Sequence, residues 1–172
     1  MAQKKKLQVF VSSTYADMHE ERQAAVEAIL MAGHIPAGTP LFNAGDELQM
    51  QVTSRWIDES DVFLLILGGR YGSIQYQSQK SYMHLEYEYA VERKKPLFAL
   101  VIDDSYLEEK VKKFGQTAME VEHPQKLREF RELLRSRIVR FWSDPRDIKL
   151  AILEMLMEFS RRDDVIGWIP GN

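Results

Sequence analysis

The sequence predicts a single α/β domain in which a five-stranded parallel sheet of order 2-1-3-4-5 is covered by helices on both faces. Three observations carry that expectation. Short apolar runs alternate five times with segments of helical periodicity, the pattern of parallel strands joined by right-handed crossovers. Two of the runs, Asp61 to Leu67 and Pro96 to Ile102, are apolar nearly throughout, as strands buried on both faces must be. The chain has 172 residues, 45% hydrophobic and 28% charged, enough for one core and too few for two full domains.

The elements follow in order. Leu7 to Val11 is short and β-rich and breaks into the polar cluster Ser12-Ser13-Thr14, as the end of a buried strand does. Asp17 followed by Glu20 gives a capping signal, and Met18, Ala25, Val26, Ile29 and Leu30 recur at helical spacing until Gly33 ends the helix. His34 to Ala37 reads as a second strand whose Pro36 suits an edge. From Asp46 to Glu59, Leu48, Val52, Trp56 and Ile57 form a helical stripe, and the third strand follows to Leu67. Gly68 to Ser73 and a glutamine-rich loop then lead into a helix over about Ser81 to Arg93, and Pro96 opens the fourth strand.

Asp103 to Glu122 reads as an insertion with a short helix around Leu107 to Phe114. Pro124 to Arg137 is a charged amphipathic helix with Leu127, Phe130, Leu133 and Leu134 on one side. Ile138 to Trp142 is the fifth strand, and Asp144-Pro145 opens a last helix reaching Phe159, with proline in the first turn. Trp56, Trp142 and the methionines are placed in the core. Residues 1–160 are thus one domain of flavodoxin-like order, and 161–172 read as a tail or linker.

Composition excludes several functions. A net charge of -3 gives no basic footprint for nucleic acid, and Lys4-Lys5-Lys6 reads as a solvated start. No cysteine is present, which removes disulfides, thiolate metal sites and cysteine nucleophiles and suits a cytoplasmic protein. The longest apolar stretch, Val62 to Leu67, is too short to span a bilayer, and no signal-peptide pattern precedes it. His19, His34, His84 and His123 have no metal-ligand spacing, so no metal is expected.

In an open sheet of this order, ligands sit beyond the carboxyl ends of the strands where strand order reverses. That crevice lies between Ser12-Ser13-Thr14 and the segment Gly68 to Ser73. Gly68 and Gly69 let backbone approach a ligand, Arg70 can pair with phosphate or carboxylate, and Tyr71 can stack. The plainer alternative is a turn in which the glycines only meet backbone angles. Serines 12 and 13 lack a nucleophile-elbow context and read as ligand hydrogen-bond donors or helix caps. Glu86 and Glu88, two apart on a helix, cannot both face one pocket. Taken alone, either is an ordinary solvated residue complementing the helix dipole.

The run Val9-Phe10-Val11-Ser12-Ser13-Thr14 with Asp17, the strand ending Leu67-Gly68, and Glu86-x-x-x-Ala90 ahead of Lys95-Pro96 together resemble the TIR superfamily over roughly residues 7 to 160. The chain is most similar to a TIR-like family of uncharacterised domains with V-F-V-S-S-T and R-Y-G-S segments, often N-terminal to NACHT-type or other NTPase modules. Nucleoside deoxyribosyltransferases look similar over the third strand, the E-x-x-x-A helix and the following K-P strand. In enzymatic TIR domains and in those transferases, a glutamate at this helix position handles the ribose whose glycosidic bond breaks. Counting back four from Ala90 places Glu86 there and leaves Glu88 out of register.

The resemblance implies NAD as substrate, with no prosthetic group, and cleavage of the nicotinamide-ribose bond by a glycohydrolase or cyclase in bacterial immune, anti-phage signalling. Ser12, Ser13 and Thr14 would line the ribose, and Gly68, Gly69, Arg70 and Tyr71 would hold phosphate or base. It also implies a homo-oligomer and an attached or partner NTPase or sensor module, with no nucleic-acid or membrane partner. The chain lacks the Trp-Cys pair and the R-D-x-x-P-G loop of animal TIR domains. Two alternatives accompany the enzyme reading. One is a non-catalytic homotypic signalling module presenting Tyr82, Tyr87 and Tyr89, and the other is a nucleoside deoxyribosyltransferase-like enzyme.

Overall fold

The structure is a computed structural model that describes residues 5–38, 46–137 and 139–171, with backbone alone for 46–48. Lys4, the Leu48 side chain, Ile138 and Asn172 from the reading above lie outside the described residues.

Five parallel strands, β1 (Gln8–Ser12), β2 (Ile35–Ala37), β3 (Val62–Leu67), β6 (Leu97–Ile102) and β7 (Val139–Trp142), form one sheet of order β2-β1-β3-β6-β7. Counting sheet strands alone, this is the expected order 2-1-3-4-5, with Pro36 on the edge strand. The pairings Phe10↔Phe63 and Leu65↔Ala99 fix the register of the central strands. Every residue of β3 is buried, the physical reason its sequence shows no alternation.

Side chains of successive strand residues go to opposite faces and build two cores. On one face Val9, Val11, Leu64, Ile66 and Leu100 pack against Ala25 and Ile29 of α1 (His19–Met31) and Ile152 and Leu156 of α6 (Pro145–Ser160). On the other, Phe10, Phe63, Leu65 and Val101 meet Ile57 of α2 (Asp46–Glu59), Met83 and Tyr87 of α3 (Tyr82–Glu92), and Phe130 and Leu134 of α5 (Pro124–Arg135). Each large aliphatic side chain so buried contributes about 2 kcal/mol from area removed from water.

Several local expectations are corrected. Asp17 does not cap α1: Met18 is the N-cap without a side-chain bond, and Asp17 accepts from the Thr14 hydroxyl at 2.5 Å. The glutamine-rich loop holds a two-stranded antiparallel ribbon, β4 (Ile74–Gln75) and β5 (Lys80–Ser81). Each strand has two residues, too few to show a period. The insertion's helix, α4 (Asp104–Phe114), begins earlier than expected because Asp103 caps it, and a 3-10 turn Gly115–Ala118 follows. Trp142 is fully buried, but Trp56 is 41% exposed and Leu133, Met31 and Met157 also face outward. Tyr87 is buried against Phe130, so it is not a surface tyrosine.

Residues 161–171 fold back along the sheet's amino end. Val165 is buried, Trp168 bridges to Lys6, and the Gly167 amide donates to the Asp61 carboxylate. Among the described residues no helix is long and apolar enough to cross a membrane.

The last helix opens at Asp144-Pro145 as expected, and Asp144 is its N-cap. Asp144 accepts from the amides of Arg146 and Asp147 and Pro145 occupies the first turn. Asp144→Ala is expected to destabilise the domain by about 1 kcal/mol, read as a lowered urea midpoint with unchanged slope.

Candidate functional site

The carboxyl end of β1 and the first turns of α3 meet at one point. β1 closes on Ser12, a hydroxyl-bearing residue buried where an apolar one would pack. Ser81 starts α3 by accepting from the His84 amide, and a carboxylate five residues on then points back to the sheet. Glu86 is 6% exposed and accepts a hydrogen bond from the Ser12 hydroxyl at 2.9 Å.

Burial dominates its electrostatics. Desolvation lifts the Glu86 pKa from the usual carboxylate range to about 7, against the opposing pull of the Ser12 hydrogen bond and the Arg22 charge. Arg22, on α1, donates to the Ser13 hydroxyl at 2.7 Å. Desolvation lowers the guanidinium's own pKa, and Glu86 is the largest charge opposing that. A carboxyl poised near neutrality inside a cleft is the kind of group functional sites are built around.

Glu86 opens onto a cavity of about 270 Å³ lined also by Ser13, Thr14, Asp17, Gln49, Arg70, Ser73, Tyr82 and Met83. Gly72 lies on its wall at φ +98°, and a Cβ there would come within 3.1 Å of Thr14 Cγ2, so glycine meets both a left-handed conformation and a close approach. Asp17 contributes an oxygen, Oδ2, that is buried without a hydrogen-bond partner among the described residues.

The structure therefore brings together Ser12, Ser13, Thr14, Arg70 and Glu86 from the set chosen on sequence. Gly68, Gly69 and Tyr71 are placed elsewhere. A Cβ on Gly68 would meet Met18 Sδ at 2.6 Å, and one on Gly69 would strike the Ala118 carbonyl oxygen and Leu107, so both glycines serve packing. The Tyr71 ring is 1% exposed and edge-on to Phe130, with its hydroxyl 2.6 Å from His84 Nδ1 and its amide bound by Glu120. It supports the loop that carries Arg70 and has no face left for a ligand. Glu88 is 40% exposed and pairs with Lys80 at 2.5 Å and His84 at 3.3 Å. The two glutamates face different ways, as their spacing requires.

Arg22 and Gln49 carried no functional reading from the sequence, whereas Ser73 closed the expected crevice segment and Tyr82 was expected on a homotypic surface. Arg22 stands in the run His19-Glu20-Glu21-Arg22, which reads as a solvated helix start. Its available signal was its place four residues after Met18, the buried N-cap of the same helix. Among the described residues no group of three or more His, Cys, Asp or Glu side chains is gathered as a metal site.

The family described as "Domain of unknown function (DUF4062)" matches residues 8–157, from the first residue of β1 into α6. No curated protein matches the chain.

Proposed function

We propose that this chain, which belongs to the DUF4062 family, is a TIR-like enzyme that cleaves the nicotinamide-ribose bond of NAD, with Glu86 as the catalytic carboxylate. The observation that carries this reading is the buried Glu86 carboxylate, hydrogen-bonded by the end of β1 and opening into a cavity at the point of strand reversal.

The chemistry asks for such a group. As the C1′–N bond breaks, its electron pair leaves with nicotinamide, and positive charge spreads over C1′ and the ring oxygen. An ionised carboxylate held in a low-dielectric cavity stabilises that cation far more than it would in water. Water then adds its oxygen to C1′ and gives up a proton to Glu86 or to solvent, leaving ADP-ribose, nicotinamide and one proton. The Ser12 hydroxyl holds the carboxylate's orientation, and Arg70 supplies positive charge at the cavity wall for the substrate's phosphates.

Purified protein incubated with NAD is expected to release nicotinamide. Exchange between free bases on a nucleoside, without action on NAD, would instead place it with the deoxyribosyltransferase-like enzymes. Turnover of neither NAD nor a nucleoside would leave the homotypic module.

The pKa near 7 sets a pH dependence. Only the ionised carboxylate steadies the cation, so kcat/KM should rise through about pH 7 and level above it. Arg22→Met removes the charge that favours ionisation, so its acidic limb moves to higher pH, with turnover at pH 7 down roughly three- to tenfold. A limb that stays in place would remove Arg22 from this role.

A further inference from the structure

A second cavity of about 280 Å³ lies on the far flank of β1, between α1, the end of β2 and α2, lined by Val11, Arg22, Val26, Pro36, Gly38 and Trp56. Like the Glu86 cavity, it lies at the carboxyl end of β1, with Val11 on its wall where Ser13 and Thr14 line the other. Two of its residues are unexplained by packing. Arg22 has a desolvated guanidinium with five N–H donors, yet the one side-chain hydrogen bond it makes among the described residues goes to the neutral Ser13 hydroxyl. Trp56 leaves 41% of its surface exposed beside the Pro36 strand end. Gly38 presses its backbone onto the guanidinium: a Cβ there would come within 3.1 Å of Arg22 Nη2 and 3.0 Å of the Val11 carbonyl oxygen.

A guanidinium at a cavity wall selects an anion, and an exposed indole beside it offers a face to a planar base. We propose that this second cavity holds the adenylate half of the dinucleotide, with the adenylate phosphate on Arg22, the nicotinamide-side phosphate left to Arg70, and the base against Trp56. The inference rests on the reading of the Glu86 cavity as the ribosyl site. Two features tie the cavities to one ligand. Arg22 is bonded to Ser13, which lines the Glu86 cavity. Gln49 and Trp56 are seven residues apart on α2, so they share a helix face two turns apart, and each lines one of the two cavities. The site would then distinguish a dinucleotide from a mononucleotide by a contact remote from the reacting bond.

Two measurements on the full chain separate this inference from the enzymatic one. The first needs no turnover: AMP is titrated while intrinsic tryptophan fluorescence is followed. The expected result is saturable quenching in the wild type, lost in Trp56→Leu, and at least about tenfold weaker AMP affinity in Arg22→Met, the loss of one stacked or charge-paired contact. The second compares kcat/KM for NAD and for nicotinamide mononucleotide, and Trp56→Leu should lower the ratio of NAD to mononucleotide about tenfold. If neither substrate is cleaved, the proposed activity falls while the quenching result still decides the subsite. Quenching by AMP that is absent, or equal in the wild type and Trp56→Leu, overturns the inference. So does an unchanged substrate ratio.

Discussion

Glu86→Gln is expected to lower NAD cleavage by about a thousandfold, the size of effect seen when a single aimed group that stabilises transition-state charge is removed. Glutamine keeps the volume and can still accept from the Ser12 hydroxyl, which now sits 2.9 Å from the carboxylate, so the cavity wall is preserved and only the charge is lost. Glu88→Gln is the matched control, because Glu88 is 40% exposed and already engaged with Lys80. It should stay within about twofold of wild type. Nicotinamide release followed by chromatography, with far-ultraviolet circular dichroism to check the fold, reads both variants. Equal loss in the two would show that neither carboxylate is specifically aimed at the sugar.

The same substitution should make the folded protein more stable at alkaline pH. Burial raises the folded pKa of Glu86 to about 7, from an ordinary value of 4.5. Between those two values the folded chain keeps a proton that the unfolded chain has released, so wild-type stability falls as pH rises through this window and then levels off. Glutamine has no such titration. Glu86→Gln should therefore match wild type near pH 4 and gain up to about 3 kcal/mol by pH 8, from the interval multiplied by 1.36 kcal/mol per unit. Urea denaturation at the two pH values measures it. A gain that is absent at pH 8, or equal at both, would mean the carboxylate is not destabilised by burial. Both results together would describe a trade, in which a group that weakens the fold serves the proposed reaction once it is ionised.

Much of the fold was legible because long periodic or continuous apolar segments leave few alternatives. Val62 to Leu67 and Leu97 to Ile102 read as buried strands from their sequence alone, and they are the centre of the sheet. What escaped depended on partners far along the chain. Tyr71 beside glycines looks ligand-facing until His84 and Phe130, 13 and 59 residues on, close over it. Trp56 looks like core because helical spacing marks a face, and the face it marks reaches the edge of a sheet whose last strand is only three residues long. Arg22 looks solvated because its neighbours are acidic, although it turns inward to Ser13. For the site, the spacing alone left Glu86 and Glu88 equivalent, and Glu86 was singled out by the resemblance, which sets the functional glutamate four residues before Ala90. The geometry adds the partner that spacing could not supply, the Ser12 hydroxyl 74 residues away in sequence.

The account turns on where a bound sugar sits. A crystal structure of the complex with ADP-ribose tests this directly. The account predicts the ribosyl C1′ within about 3.5 Å of a Glu86 oxygen, the range of a near-attack arrangement, with the ribose against Ser13 and Thr14. A ligand bound away from this cavity, or seated there with Glu86 still closed onto Ser12 and C1′ beyond reach of its carboxylate, would contradict it.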